Sequence, residues 1–336
     1  MPTAGGALDE ERVYIPVRDG WLMALHRETG MPAWTRQIDT TSPPVLGNGV
    51  LYVVTKEMIH ALDPVTGQDR DAWPQPEPLT VPLSWHEGWL VAAQESGTIS
   101  ARQERGGELV GWSRDLGSKA RHPAVAGDNA WYVSLEDGRV VALSRADGST
   151  LWELKLPGML SEPAIAPDRV LVGSTDNFFY AIDTDTGTLE WKWRGGGDVI
   201  GSAFDDGRLF FTSLDNIIKS VNAGNGNQRW KKETGTRPVF PPRAFGGLVV
   251  VPGLKPALAV FAGRTGAAIG IYETLEPLMG KPLIDQALPP FRVSLVTITR
   301  AGIVEGLRPT GLLFKEPVVT PLTPLPGRPL MRELAP

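Results

Sequence analysis

A glycine-centred turn recurs eight times along this chain of 336 residues, and its spacing restricts the fold more than any other feature. The clearest copy is Ala181-Ile182-Asp183-Thr184-Asp185-Thr186-Gly187-Thr188-Leu189-Glu190-Trp191. A small residue is followed six positions later by Gly, and Trp comes four positions after that. The glycine recurs at Gly30, Gly67, Gly107, Gly148, Gly187, Gly226, Gly266 and Gly311. The mean step is about 40 residues, the length of one four-stranded propeller blade. The small residue is Ala24, Ala61, Ala101, Ala142, Ala181 and Ser220, and then becomes Val260 and Glu305. The aromatic is Trp34, Trp73, Trp112, Trp152, Trp191 and Trp230, with Tyr272 and Phe314 in the last two copies, so the repeat decays toward the C-terminus.

Each unit reads as four short strands. In the fourth, Pro123-Ala124-Val125-Ala126 begins the inner strand, and Ala130-Trp131-Tyr132-Val133-Ser134 is an apolar, aromatic and β-branched run. Asp137-Gly138 then predicts a two-residue type I′ hairpin, which needs positive φ at both central positions. Val140-Val141-Ala142-Leu143 and Leu151-Trp152-Glu153-Leu154 complete the unit. No apolar period of 3.6 residues persists for three turns. Gly permits the left-handed turn, the small residue permits close approach, and Trp supplies a large apolar plate with one N–H to satisfy. A blade cannot bury both faces alone, so the tryptophans are expected in the seams between blades.

The predicted architecture is therefore all-β: a single eight-bladed β-propeller of four-stranded antiparallel blades over residues 1–315. Seven blades is the alternative if the copy around Gly311 is not a blade. Residues 316–336 are expected to form a Pro-rich C-terminal arm, because Pro317, Pro321, Pro324, Pro326, Pro329 and Pro336 favour an extended chain. Such an arm serves either as a strap over the last blade or as a docking segment for a partner.

The pattern Ala-x-Asp-x-x-Thr-Gly-x-x-x-Trp resembles the tryptophan-docking motif of the pyrroloquinoline-quinone-like (PQQ-like) propeller repeat, and the resemblance covers about residues 2 to 315. That superfamily includes quinoprotein alcohol and sugar dehydrogenases. It also includes non-catalytic propellers such as the BamB-like lipoprotein of the outer-membrane β-barrel assembly machine. The enzymes carry two adjacent cysteines, calcium ligands, an Asp base and large insertions between strands. This chain has no cysteine, and its connections are uniformly short. The resemblance thus implies a non-catalytic scaffold that binds protein or peptide partners, as a subunit of a larger extracytoplasmic or envelope assembly. A quinone-dependent dehydrogenase or a small-ligand-binding propeller is the alternative. No cofactor, catalytic residue or metal site is expected. Most relatives of this repeat are exported, so a periplasmic location with the signal already removed is the expectation, and the cytoplasm is the alternative.

Charge and hydropathy exclude further classes. A net charge of −5 offers no general attraction to nucleic acid or to an anionic membrane. No apolar run approaches the length of a membrane-spanning helix.

Other motifs dissolve into the repeat. Asp183-x-Asp185-x-Gly187 begins like a calcium loop but lacks the later ligands, and its Asp is expected to cap its own turn. His26, His60, His86 and His122 have no ligand spacing. Gly195-Gly196-Gly197 lacks the Lys-Ser/Thr partner of a phosphate loop. One position stands out. Side chains just before each inner strand should ring the mouth of the central channel, and there Arg121, His122, Glu162 and Lys281 interrupt a series of Pro, Val and Gly. They form either solvated rim charge or a recognition site for a ligand or peptide. The turns between second and third strands carry Asp19, Glu95, Asp137, Asp176 and Asp215, which, repeated around the ring, would make the same face acidic and steer a basic partner there.

Overall fold

Each glycine-centred repeat folds as one antiparallel sheet of four sequential strands, and eight such blades form an all-β propeller. The structure, a computed structural model, describes residues 1–40, 42–105, 108–284, 295–307, 309–310, 313–314 and 318–321. Blades 1 to 8 span residues 7–37, 45–74, 84–115, 125–155, 164–194, 199–233, 243–273 and 283–321. No helix among the described residues is long and apolar enough to cross a membrane.

Burial explains the strand sequences. The second strands, such as Ala130–Ser134 and Leu248–Pro252, are buried along their whole length, because each is sandwiched between two neighbouring blades. They therefore read as continuous apolar runs rather than alternating ones. Outer strands such as Gln228–Glu233 expose every residue except Trp230. The core is divided into eight hydrophobic clusters, one for each seam. Among the described residues, blades 8 and 1 exchange no strand. The ring closes through packing of Val13, Ile15, Val17, Met23 and Leu25 against Val296, Ile298 and Val304.

The repeat turn has the predicted chemistry. Asp183 Oδ1 accepts from the backbone N–H of Thr186 at 2.8 Å and from its hydroxyl at 2.7 Å, and Gly187 has φ 71°. The ladder shifts by one residue at the small position, between Ala24 and Leu25, Ala142 and Leu143, and Ala181 and Ile182. This bulge places Ala142 directly opposite Trp152 and Ala181 opposite Trp191. A β-branched or bulky residue there would meet the indole of its own blade.

Three local expectations change. The Asp137-Gly138 hairpin has positive φ only at Gly138 (86°), and the Gly138 N–H donates to Leu135 O at 3.0 Å. That is a longer loop closed by a glycine bulge. Two-residue turns with both φ positive instead join first and second strands, at Asn48-Gly49, Glu87-Gly88 and Asp206-Gly207. Blade 3 pairs Thr98–Arg105 with Glu108–Asp115 without a bulge, and Gly107 lies outside the described residues. In blade 8 the small position is Gly306, which pairs with Val296 as Ala142 pairs with Tyr132; Glu305 is one step away and on the other face.

The C-terminal stretch contributes to the propeller. Val318–Pro321 pairs with Ile303–Leu307 as the outer strand of blade 8, after a small hairpin of Pro309–Thr310 with Leu313–Phe314. Pro321 takes the end of this edge strand, a position that proline tolerates. Gly311 and residues 322–336 lie outside the described residues.

Candidate functional site

The seams consume most of the side chains that could carry chemistry. The indoles of Trp34, Trp112, Trp152, Trp191 and Trp230 lie on the glycine turn of the following blade. A Cβ added at Gly187 would come within 2.6 Å of the Trp152 ring, and one at Gly148 within 2.3 Å of Trp112. Gly is thus required both by its φ and by the ring above it. The indole N–H groups donate to carbonyls of the same turn: Trp34 to Pro64 O at 2.9 Å, Trp112 to Arg145 O at 3.0 Å, Trp152 to Thr184 O at 2.7 Å and Trp230 to Gly263 O at 2.9 Å. Trp191 packs on Gly226, but its own N–H has no partner among the described residues; Trp193 donates to Gly226 O instead. Trp73, displaced along its strand, carries the Arg102 guanidinium 3.6 Å above its ring.

A second latch escaped the sequence reading. The residue two positions after the Trp also donates to the next motif glycine: Arg36 to Gly67 O at 2.6 Å, and Arg114 to Gly148 O at 2.9 Å. Only alignment of the copies on Trp would have revealed this donor position. Where the motif decays, the Trp position opposite Val260 is held by Gly270 rather than by Tyr272, and Tyr272, two residues on, donates its hydroxyl to the buried Glu305 carboxyl of blade 8. Burial raises the Glu305 pKa, against hydrogen bonds from Thr297, Leu275 N–H and Tyr272.

At the channel mouth, the structure places Glu162 and Lys281 in contact. Lys281 Nζ lies 2.7 Å from Oε1 and 2.5 Å from Oε2 of Glu162, joining the connection into blade 8 to the connection into blade 5. Arg121 and His122 serve differently. Both reach the Leu160 carbonyl at 3.1 Å, tying the entry of blade 4 to that of blade 5. A carbonyl only accepts, so His122 carries its proton on Nε2. Burial lowers the His122 pKa, while Glu162 opposes the shift. The four predicted side chains therefore form two linked pairs.

The channel also holds Arg243, which the sequence reading missed. It lies on the inner strand Arg243–Phe245 and lines a cavity of about 220 Å³ with Glu162, Ser202, Phe204, Pro241 and Lys281. Burial lowers its pKa and Glu162 opposes the shift, yet the guanidinium makes no hydrogen bond among the described residues, and its Nε is buried without a partner. The detectable signal was positional. In the blade ladders Arg243 stands where blades 4, 5 and 6 have Val125, Ala164 and Ala203.

The acidic turns are largely committed locally. Asp137 pairs with Arg139 at 2.7 Å, Asp176 accepts from Phe178 N–H at 2.9 Å and from the Tyr180 hydroxyl, and Asp215 accepts from Ser213 at 2.5 Å. The equivalent turns of blades 7 and 8 carry Lys255 and Arg300, so the charge is an arc rather than a ring. Among the described residues no three His, Cys, Asp or Glu side chains converge to hold a metal ion. A quinone cofactor of the dehydrogenase type does not fit these residues, since the sequence supplies no cysteine pair and this donor set no calcium cage.

Comparisons with known proteins agree with this geometry. An outer membrane protein assembly factor BamB from Shewanella oneidensis is 30% identical over 118 residues, which cover 31% of this chain and 30% of that protein. The matched stretch thus spans under a third of that relative's length. The crystal structure of BamB from Moraxella catarrhalis superposes with a TM-score of 0.66 at 17% identity, covering 82% of this chain and 86% of that one. The computationally designed Ika8 protein superposes with a TM-score of 0.75, also at 17% identity, over 91% of this chain and 95% of that one. At such identity these two likenesses speak to fold alone. The family model for outer membrane protein assembly factor BamB matches residues 78–154 and 136–283. Spanning more than half of the sequence, that match shows that the chain belongs to the BamB-type family of PQQ-like propellers.

Proposed function

We propose that this chain is a non-catalytic propeller scaffold that binds protein partners in the assembly of outer-membrane proteins, on the periplasmic side of that membrane. The observation that carries the reading is the family match over residues 78–283. The chemistry supports it. Indoles, turn carboxylates and several arginines are spent on holding blades together. The Glu162–Lys281 pair, with His122 and Arg121 beside it, is the recognition surface of this reading. It is the polar group that several blades jointly present at the channel mouth, and the acidic arc of blades 3 to 6 flanks it. A partner segment that supplies its own charged groups would exchange with the pair. Affinity purification of the tagged chain from cross-linked cells tests the reading, with outer-membrane assembly subunits as the expected partners.

A further inference from the structure

Three of the most exposed large apolar side chains stand together on one sector of the propeller. Leu254 is 61% exposed, and Ile271 and Leu275 are each 62% exposed. Backbone contacts bring them together. Leu254 N–H donates to Arg237 O at 2.7 Å, joining the second-to-third-strand turn of blade 7 to the connection from blade 6. Thr274 N–H donates to Pro256 O at 2.8 Å, which sets Leu275 beside the same turn. A Cβ added at Gly235 would meet Ile271 Cδ1 at 3.8 Å, so Ile271 reaches over that connection too. Cations stand among them. Lys255 follows Leu254, Arg237 lies across the hydrogen bond, and Arg300 N–H donates to Pro277 O at 2.8 Å in the turn of blade 8. All three are exposed and make no ion pair among the described residues. Glu273 and Glu276 are the carboxylates of this stretch, so cations outnumber them. The turn is out of pattern. Blades 4 to 6 make the same backbone bond at 2.9 or 3.0 Å from Glu136, Thr175 and Leu214, each followed by Asp where blade 7 has Lys255. Leu214 is half-buried there, whereas Leu254 projects into solvent.

We propose that this sector of blades 7 and 8 docks on an anionic phospholipid surface. Grouped exposed apolar side chains mark a surface that something covers. Leu254, Ile271 and Leu275 enter the boundary between headgroups and acyl chains, and Arg237, Lys255 and Arg300 meet the lipid phosphates. Long basic side chains keep their charge in water while their stems lie along apolar surface, which suits that boundary. The lysine favours lipid over a protein partner, because protein interfaces are depleted in Lys. The net charge of −5 opposes contact of the whole molecule with such a surface. Segregation of charge resolves this. Glu95, Glu136 and Asp137 belong to blades 3 and 4, which lie across the ring from blades 7 and 8. Docking by the basic sector therefore tilts the ring and lifts the acidic turns away. The surface uses none of the channel-mouth side chains, and it stands without the scaffold reading.

Co-sedimentation of the purified chain with vesicles of equimolar phosphatidylcholine and phosphatidylglycerol, at low ionic strength, tests the surface. The chain is expected to pellet with these vesicles and to stay in solution with vesicles of phosphatidylcholine alone. Added salt should release it, because screening weakens exposed charge pairing. Arg237→Gln/Lys255→Gln/Arg300→Gln should weaken binding at least about tenfold, since each cation near an anionic surface contributes about fivefold. Leu254→Ser/Leu275→Ser should weaken it too. Melting curves check that the variants fold, and the comparison of the two vesicles needs no variant. Arg229→Gln/Arg264→Gln removes charge from exposed positions on the opposite face and should bind as the wild type does. Absence of pelleting with the anionic vesicles overturns the proposal. So does equal pelleting with neutral vesicles, undiminished binding by either sector variant, or an equal loss in the opposite-face control. A chain that ignores both vesicles, and whose sector variant loses a co-purifying protein, would make the sector a protein-docking surface instead.

Discussion

Lys281 Nζ sits within 2.7 Å of both Glu162 carboxylate oxygens, although 119 positions separate the two residues in the chain. The pair ties blade 8 to blade 5 by charge rather than by packing. Both side chains keep solvent access, 39% for Lys281 and 24% for Glu162, so screening keeps the pair's contribution small. A double-mutant cycle with Glu162→Gln and Lys281→Met should give a coupling below about 1 kcal/mol in urea denaturation. A larger coupling would make the pair a structural strut and remove the reason to assign it to recognition.

The seams, in contrast, should be sensitive. Trp152 is buried, donates to Thr184 O and covers Gly187. Trp152→Ala should cost about 3–5 kcal/mol as a large aromatic deletion. Gly187→Ala should cost more than about 1 kcal/mol, because φ is 71° and the new methyl meets the indole. Equilibrium unfolding monitored by tryptophan fluorescence checks both.

The seam between blades 7 and 8 should show a pH signature. Burial raises the folded-state pKa of Glu305 above its unfolded value, so the native state holds the extra proton. Its contribution is fully present below the ordinary carboxylate value of about 4.3 and is lost as pH rises through the higher folded value. Glu305→Gln should therefore gain stability relative to the wild type as pH rises from 4.3 toward neutrality. Urea midpoints across that range measure the difference; a constant difference would remove Glu305 as the titrating group.

The C-terminal stretch separates a strap from a strand. Val318–Pro321 supplies the edge of blade 8 in the ladder with Ile303–Leu307. Deletion of residues 316–336 should lower the melting temperature, by about 1.5 °C for each kcal/mol lost in a chain of this size. Unchanged melting would mean that the ladder contributes nothing to closure.

These contrasts show what a linear reading could reach. The blades were legible because Gly, a small residue and Trp serve one local geometry in copy after copy: the bulge at Ala181, the turn at Gly187 and the indole of Trp191 lie within eleven residues. The seam position of Trp152 followed from the same periodicity, whereas its contact with the next blade's Gly187 needed the structure. Blade 8 was harder, because its outer strand arrives after a hairpin insertion and its small position moved to Gly306. At the channel, Glu162 and Lys281 were visible as exceptions to an apolar series, but their pairing depends on the ring closing. Arg243 stayed hidden because a charge on the first residue of a three-residue inner strand looks like ordinary surface alternation until the eight ladders are superimposed.

The most direct test of the scaffold account is quantitative mass spectrometry of proteins that co-purify with the tagged chain, compared with its Glu162→Gln/Lys281→Met variant. The account predicts that outer-membrane assembly subunits accompany the wild type. It predicts that the variant, folded as judged by melting, binds them about thirtyfold more weakly, the scale of a hot-spot loss near 2 kcal/mol. A wild-type chain that retrieves no such subunit would contradict the scaffold role, and a variant that retains every one at full affinity would contradict the channel mouth as its site.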